Sequence, residues 1–154
     1  MGQYKVYFAS GWFTKDQIET YDFAKKSLDS HLELDVFYPK EMSVDLQKDL
    51  YDENTRLKIF NKNLEGIEHA DFVICSTEDK DTGSVFEAGY SYCKNKKIVF
   101  INFHLKGSFN LMLQKACIAI AKNNRDFELI LLIIKKYGLN SNLLEEFKTQ
   151  KKVE

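Results

Sequence analysis

Short apolar runs alternate with longer amphipathic segments along the chain, and this alternation constrains the fold more than any other feature. Runs rich in β-branched and aromatic residues are typical of strands, whereas apolar residues at intervals of three and four are typical of helices. Strands and helices in alternation indicate βα units, which bury a parallel sheet between two layers of helices. The run Phe72–Cys75 is apolar throughout, as expected of a strand covered on both faces.

The pattern predicts a doubly wound, mainly parallel five-stranded sheet of flavodoxin-like, three-layer α/β/α architecture, with residues 1–154 forming one domain. The predicted strands are Tyr4–Ala9, Leu34–Tyr38, Asp71–Ser76, Lys97–Phe103 and Cys117–Ala121. The predicted helices are Lys15–Ser30, about Glu53 to Glu68, Ser84–Lys94, Asn110–Lys115, Asp126–Lys136 and Ser141–Lys151. Pro39 should stop the second strand, and a polar connection is expected after it.

Composition and charge limit the kinds of partner. The 154 residues carry a formal net charge of −1 with a sequence pI near 6.3, so no excess of basic charge indicates nucleic acid or an anionic membrane as partner. A small molecule is the expected ligand. The longest apolar run, Leu129–Ile134, is too short to cross a bilayer, and the N-terminal segment lacks the features of a signal peptide.

The cysteines and histidines indicate neither a disulfide framework nor a metal site. Cys75, Cys93 and Cys117 show no Cys-x-x-Cys spacing and stand in or beside apolar runs, which favours buried thiols in a reducing compartment. The protein is therefore expected to be cytoplasmic. The histidines lack metal-ligand spacing and are expected at surface or loop positions, so no metal is expected.

The segment 81–90, Asp-Thr-Gly-Ser-Val-Phe-Glu-Ala-Gly-Tyr, follows the third predicted strand and opens a helix. Gly83 and Ser84 would place backbone N–H groups and a hydroxyl at the start of that helix. Glu87 lies about one turn inside, where a glutamate can simply occupy a solvated face. Its neighbours are apolar residues and glycine, however, and two glycines beside a lone carboxylate indicate close approach of backbone or ligand. On this pattern alone, both interpretations of Glu87 stay open.

Two aspartates and two aromatic residues lie near the ends of predicted strands. Asp71 begins the third strand and Asp81 follows it, and each alone could be a cap or turn residue. Together with Glu87 they would supply a nucleophile and an acid for displacing a glycosidic leaving group. We expect them to converge at the carboxyl ends of the strands, where doubly wound folds bind ligands. Trp12 and Phe13 follow the first strand and could form an aromatic wall for a planar base.

Several of these segments occur together in one family. The sequence resembles the nucleoside 2-deoxyribosyltransferases from about residue 4 to residue 120. The matching segments, in family order, are Tyr7-Phe8 with Gly11-Trp12-Phe13, then Asn63-Leu64-Glu65-Gly66-Ile67 leading to Asp71, then Asp81 and Gly83 ahead of Glu87-Ala88-Gly89-Tyr90, and last Asn110-Leu111-Met112. Four segments in order and with plausible spacing form a fairly specific signature.

The resemblance implies a role for each matching residue. Glu87 matches a nucleophile that attacks C1′ and forms a covalent deoxyribosyl-enzyme, and Tyr7 matches a residue held close to it. Asp71 and Asp81 match carboxylates that contact the base and assist its protonation. The substrate-binding positions are Gly11, Trp12, Phe13, Gly83, Asn110 and Met112.

The resemblance also implies the substrates and the assembly. A free nucleobase would replace the base of a deoxynucleoside with retention of configuration, and no cofactor would take part. Asn110 and Met112 match residues that the family supplies from a neighbouring subunit, which implies a homodimer or an assembly of dimers. Nucleotide salvage is the usual setting of the family.

The chain departs from the family pattern at its end and in its motifs. The family usually closes with an aromatic tail whose final tyrosine shapes the site, whereas this chain ends in the charged segment 151–154. The surroundings of Glu87 resemble a purine-restricted branch, and Gly11-Trp12-Phe13 resembles a branch that accepts both classes of base, so base preference stays open. Two alternative functions are a deoxynucleoside 5′-monophosphate N-glycosidase of the same superfamily and a non-catalytic nucleotide-sensing module. The first loop lacks arginine, which favours a nucleoside over a nucleotide.

Overall fold

Within residues 3–46 and 52–148, which the computed structural model describes, five parallel strands form one sheet in the order β2-β1-β3-β4-β5. The strands are β1 Tyr4–Ala9, β2 Leu34–Phe37, β3 Phe72–Ser76, β4 Lys97–Ile101 and β5 Ala119–Ala121. The chain runs from β1 outward to β2 and then returns past β1 to β3. This reversal opens a crevice at the carboxyl ends of β1 and β3, where ligands bind in doubly wound folds.

Six helices of the described part cover the sheet. They are α1 Lys15–Ser30, α2 Pro39–Leu46, α3 Glu53–His69, α4 Thr82–Cys93, α5 Leu111–Ala116 and α6 Asn124–Tyr137. Short 3₁₀ segments occur at Glu78–Lys80 and Asn142–Phe147. The predicted flavodoxin-like, doubly wound architecture is confirmed.

Alternating side chains of β1 divide the core into two layers. Val6 and Phe8 pack with buried residues of α1 and α6 on one face of the sheet, and Tyr7 and Ala9 pack with those of α3 and α4 on the other. Period-two alternation in a strand produces this division directly. Tyr7 therefore lies in the layer that contains α4, which is the helix that carries Glu87.

The polar connection expected after the second strand was a wrong prediction, because the chain forms α2 there. Pro39 is the first residue of this helix, a position at which proline loses no hydrogen bond and its fixed φ suits the helix. The helix predicted at the end of the chain is shorter and tighter than expected, being the 3₁₀ segment Asn142–Phe147, capped by Ser141. Residues 149–151 of that prediction lie outside the described residues.

The environments of the cysteines match the prediction in two cases out of three. Cys75 and Cys117 are buried free thiols, whereas Cys93 is exposed. Cys93 is the last residue of α4 and precedes the polar turn to β4, so the aromatic stretch before it does not cover it. In the described part of the chain, no helix is long and apolar enough to span a membrane, and no three His, Cys, Asp or Glu side chains are grouped as metal ligands.

Candidate active site

The site is built around the first two turns of α4, directly after β3. Asp81 is the N-cap of this helix, and its Oδ2 accepts hydrogen bonds from the Ser84 backbone N–H (2.8 Å) and the Ser84 hydroxyl (2.7 Å). The Cys75 thiol at the end of β3 donates to the Ser84 carbonyl (3.2 Å). These bonds fix the start of α4 against the carboxyl end of the sheet, and Glu87 follows one turn further along.

Glu87 reaches from α4 to β1. Its Oε1 accepts a hydrogen bond of 2.9 Å from the hydroxyl of Tyr7, which is fully buried. The glutamate itself is half-buried. The second carboxylate oxygen, Oε2, takes no part in this bond with Tyr7. This geometry contradicts the interpretation of Glu87 as a residue of a solvated helix face.

Burial changes the protonation of both members of this pair. It raises the pKa of Glu87 to about 7, and the charge of Asp81 adds to the rise, whereas the hydrogen bond from Tyr7 opposes it. Burial and the adjacent Glu87 together raise the pKa of Tyr7 far above its usual value. The Tyr7 hydroxyl thus stays protonated and remains a donor, while Glu87 titrates near neutral pH.

The Tyr7 ring is held in place by β2 and α3. It stacks on Phe37, with ring centroids 5.5 Å apart and planes 13° from parallel. Gly66 of α3 lies against both rings, because an added Cβ would stand 3.0 Å from a Tyr7 ring carbon and 3.3 Å from a Phe37 ring carbon. A side chain at Gly66 would therefore push against the ring that directs the hydroxyl to Glu87.

Gly11 brings the loop after β1 close to Asp81. A Cβ at Gly11 would lie 2.7 Å from Gln17 Oε1 and 3.0 Å from Asp81 Cγ, so only glycine fits there. Gln17 is buried, and its Oε1 accepts from the backbone N–H groups of Phe13 (2.9 Å) and Thr14 (3.3 Å). Sequence analysis missed Gln17, although Thr14 and Gln17 have the spacing of a capping box at a helix start.

The aromatic residues of this loop differ in exposure. Trp12 is half-buried and contacts the ring of Phe13, which is 74% exposed. An exposed aromatic ring beside the crevice is available to a planar ligand. The predicted close approach at the glycines of α4 is not made by protein atoms in the described chain. A Cβ at Gly83 would meet Asp81 at an ordinary 3.5 Å, and one at Gly89 would meet nothing within 4 Å.

Asp71 does not join the other carboxylates, so the expected convergence is wrong for this residue. It directly precedes β3, and its carboxylate accepts from the Lys5 backbone N–H (2.7 Å) at the start of β1. A strand of five residues separates it from the Asp81 loop, about 16 Å at the usual rise per residue. Asp71 lies at the amino edge of the sheet, where it terminates the β1–β3 ladder.

Asn63 is a polar residue of the site region to which the sequence analysis gave no role. It lies three residues before Gly66 on α3, about 4.5 Å closer to the carboxyl edge of the sheet. Its Oδ1 is buried and has no hydrogen-bond partner within the described residues. A buried acceptor without a donor is costly unless a ligand or water supplies one. The sequence signal was a polar residue on the inward-facing side of an otherwise apolar helical spacing.

Asn110 and Met112 lie on a different wall. Asn110 caps α5, its Oδ1 accepting from the backbone N–H groups of Met112 (2.9 Å) and Leu113 (3.2 Å). Both predicted residues line a cavity of about 970 Å³ whose lining includes neither Glu87 nor Tyr7. Met112 is 76% exposed and the adjacent Leu111 is 64% exposed. Contacts within one chain link Tyr7 to Glu87 and bring Gly11 close to Asp81, whereas Asn110 and Met112 line a neighbouring cavity together with residues 77–80 and Val85.

Three solved structures are similar to this chain in fold. A 2-deoxyribosyltransferase of Bacillus psychrosaccharolyticus is 28% identical, with a TM-score of 0.73 over 80% of this chain and 90% of that one. A conserved protein of Enterococcus faecalis V583 is 13% identical (TM-score 0.56; 84% and 88% covered). The CMP N-glycosidase BcmB of Clostridium botulinum is 14% identical (TM-score 0.52; 82% and 97% covered). The last two share the fold.

A comparison with curated proteins gives no significant match. The sequence model of the family described as nucleoside 2-deoxyribosyltransferase, by contrast, matches residues 6–144. This span extends from β1 to the final 3₁₀ segment and contains Tyr7, Asp81 and Glu87. The chain is therefore a member of the nucleoside 2-deoxyribosyltransferase family.

Proposed function

We propose that the protein transfers the 2-deoxyribosyl group of a deoxynucleoside to another nucleobase through a covalent intermediate on Glu87. The observation that carries the proposal is the Tyr7–Glu87 pair at the carboxyl edge of the sheet, with Asp81 beside it. The family supports an enzyme of deoxyribosyl transfer or glycosidic cleavage, and the geometry supports Glu87 as its nucleophile.

The first displacement would use the free oxygen of Glu87. Tyr7 donates to Oε1 and so directs Oε2 toward C1′ of the sugar. As the bond from Oε2 to C1′ forms, the N-glycosidic bond breaks and its electron pair leaves with the base. The transition state resembles an oxocarbenium ion, which a nearby carboxylate stabilises. A second base then attacks C1′ and releases Glu87, and two inversions give net retention.

The departing base would be received by Asp81 and Asn63. Oδ2 of Asp81 is engaged in capping α4. Its Oδ1 would take up a proton from solvent and pass it to the departing base, and the incoming base would return a proton to Asp81 in the second displacement. The unpaired Oδ1 of Asn63 would accept an N–H of the base. An amide cannot act as an acid, so proton delivery falls to Asp81. Asn63 would thus provide the base-side contact that Asp71, at the opposite edge, is too distant to make.

The loop after β1 favours a nucleoside over a nucleotide. A phosphate would need free N–H donors or cationic side chains at the start of α1. The N–H groups of Phe13 and Thr14 are bound by Gln17, and the Ser10 hydroxyl donates to the Gly11 carbonyl (2.8 Å). These donors are already used within the protein, and Lys15 is the one cationic side chain at the start of α1, which favours a nucleoside over a 5′-monophosphate.

Base exchange tests the proposal directly. The protein is incubated with deoxyinosine and adenine, and the products are separated by chromatography. We expect deoxyadenosine and hypoxanthine in equal amounts, with some free deoxyribose when no acceptor base is present. Free deoxyribose as the sole sugar product, with acceptor in excess, would identify a hydrolase. Binding without any reaction would identify a sensing module.

A variant without the Glu87 carboxylate provides a second test of the proposal. Glu87→Ala should lose exchange by about a thousandfold or more, as expected when a covalent nucleophile is removed. Asp71→Asn is the matched control, since it changes a carboxylate of the same sheet at the opposite edge. It should retain exchange. Wild-type exchange by folded Glu87→Ala would exclude Glu87 as the nucleophile.

A further inference from the structure

Glu78 is a buried carboxylate that the proposed mechanism does not use. It is 1% exposed and lies in the 3₁₀ turn between β3 and Asp81. Its Oε1 accepts from the Thr20 hydroxyl (2.8 Å) and from the backbone N–H groups of Phe103 and His104, the latter at 3.2 Å. A carboxylate is kept at this depth only when donors surround it.

These contacts join three separate segments of the chain. Thr20 belongs to α1, and Phe103 and His104 begin the loop after β4 that leads to Asn110. The backbone carbonyl of Glu78 also accepts from Gln17 Nε2 (3.2 Å). Gln17 in turn holds the loop that carries Trp12 and Phe13. One residue thus connects the loop of Asp81 to the other two loops that carry predicted substrate-binding residues.

Opposite charge supports this connection. The His104 imidazole lies 3.3 Å from Glu78, 3.8 Å from Asp16 and 3.7 Å from Glu19. Partial burial lowers the pKa of His104, but the three carboxylates outweigh burial and raise it. A protonated His104 would balance the buried charge of Glu78.

The turn that Glu78 anchors has a backbone that needs support. Asp79 and Lys80 both have positive φ, at 51° and 54°, a region that side chains other than glycine enter at a cost. The Thr14 hydroxyl donates to Asp79 from the loop after β1. The conformation of the turn, and with it the position of Asp81, therefore depends on contacts from other segments.

From these contacts we propose that Glu78 is a positioning residue, whose buried carboxylate sets the relative placement of the Asp81, Trp12–Phe13 and Asn110 loops. Because its side chain is 1% exposed, it would act through the loops that carry the predicted substrate-binding residues. The inference rests on the proposed function for its kinetic consequence, but the structural coupling between Glu78 and the first loop is independent of any activity.

The test compares Glu78→Gln with Glu19→Gln. Glu78→Gln removes the negative charge that faces His104 and replaces Oε2 with an NH2 group, whereas Glu19→Gln removes one surface neighbour of His104 and no contact of the turn. We expect kcat/KM for base exchange per folded molecule of Glu78→Gln to fall by about 10- to 100-fold, as small displacements of reacting groups do. The loss should appear in both kcat and KM, and Glu19→Gln should match the wild type. Thr20→Val removes a single donor to Glu78, and its kcat/KM should fall by a smaller factor. This variant provides the test if Glu78→Gln does not fold.

A second readout does not depend on catalysis. Trp12 is the only tryptophan in the sequence, so iodide quenching of its fluorescence reports on the first loop alone. We expect increased quenching in Glu78→Gln, a smaller increase in Thr20→Val and no change in Glu19→Gln. Increased quenching in a protein that exchanges no bases would reject the proposed function and retain Glu78 as the positioning residue. Wild-type kinetics and quenching in a folded Glu78→Gln variant would overturn the inference.

Discussion

The Tyr7–Glu87 pair illustrates how one contact sets the chemistry of a carboxylate. Burial raises the pKa of Glu87 to about 7, which reduces the ionised fraction at neutral pH but places the charge in surroundings of low dielectric. The hydrogen bond from Tyr7 favours the ionised form. If Glu87 is the proposed nucleophile, its ionised fraction changes most steeply near pH 7, and the hydrogen bond from Tyr7 increases that fraction.

Tyr7→Phe should therefore change the pH dependence of exchange. The variant loses the donor that lowers the pKa of Glu87, so the carboxyl group stays protonated to higher pH. We expect the midpoint of the rising limb of kcat/KM, near pH 7 in the wild type, to move upward, with the largest loss of rate at acidic pH. Profiles measured from about pH 5 to pH 9 report this midpoint for the free enzyme.

Tyr21→Phe is the matched control for that change. The Tyr21 hydroxyl is buried and has no hydrogen-bond partner among the described residues, so its removal should leave the profile unchanged and the stability equal or slightly higher. An unshifted midpoint in Tyr7→Phe would show that the Tyr7 hydroxyl does not govern the ionisation of Glu87.

Single residues were predictable from sequence where one local pattern decided their position. The segment around Glu87 identified a carboxylate at a helix start after a buried strand, and Asp81 was placed correctly beside it. Asp71 was misplaced although the sequence puts it at the start of the third strand, because in a parallel sheet that end lies at the amino edge, opposite the residues that follow the strands. Asn63 and Gln17 were missed because their contacts come from residues distant in the sequence.

Among the secondary-structure elements, α3 packs against the Tyr7 ring and limits its position. Gly66 is the point of closest approach, and it lies in the middle of a helix, where glycine costs about 0.5–1 kcal/mol relative to alanine. Gly66 weakens α3 but leaves room for the Tyr7 ring. We infer that the position of the ring is more important here than the stability of the helix.

Gly66→Ala should separate these two effects. The added methyl group would press on the ring of Tyr7, so we expect destabilisation by about 1–3 kcal/mol and a fall in kcat of about 10-fold or more. Gly89→Ala, also in a helix but with open space at the Cβ position, should be stabilised by about 0.5–1 kcal/mol and keep its activity. Thermal unfolding of both variants measures the change in stability, and base-exchange kinetics measure the change in kcat. Equal behaviour of the two variants would mean that the Tyr7 ring is not held by α3.

The elements themselves followed from the sequence with few errors. Strong periodicity placed the bounds of β1 and α1, which match the prediction at both ends. The error at α2 arose because a proline that ends a strand can also begin a helix, and the sequence alone does not distinguish these outcomes. The last segment is the 3₁₀ helix Asn142–Phe147. Apolar spacing predicts a helix but does not distinguish a 3₁₀ helix from an α-helix over so few residues.

For the whole molecule, we propose that the site is completed by a second copy of the chain. Asn110 and Met112 line a cavity whose lining does not include Glu87, and Leu111 and Met112 expose apolar surface. Exposed apolar residues beside a substrate-binding position fit a contact between subunits.

Mixed assemblies test this arrangement. Glu87→Ala and Asn110→Ala subunits are each expected to be inactive alone. If sites are shared, co-refolded mixtures should recover about a quarter of the wild-type activity, because random pairing forms intact sites at that frequency for a dimer. Different affinity tags on the two variants, purified one after the other, verify that mixed assemblies have formed. Absence of recovery in such assemblies would place each site within one chain.

The capping bond of Asp81 has a further consequence for substrate choice. A side chain that devotes one oxygen to the start of α4 can offer a proton from the other oxygen only, along one line of approach. A purine and a pyrimidine carry their basic nitrogens at different distances from the sugar. The choice between purine and pyrimidine would then depend on how far the N-terminus of α4 can tilt. Substitutions that pack against this turn, without contacting the base, would broaden or narrow the range of accepted bases.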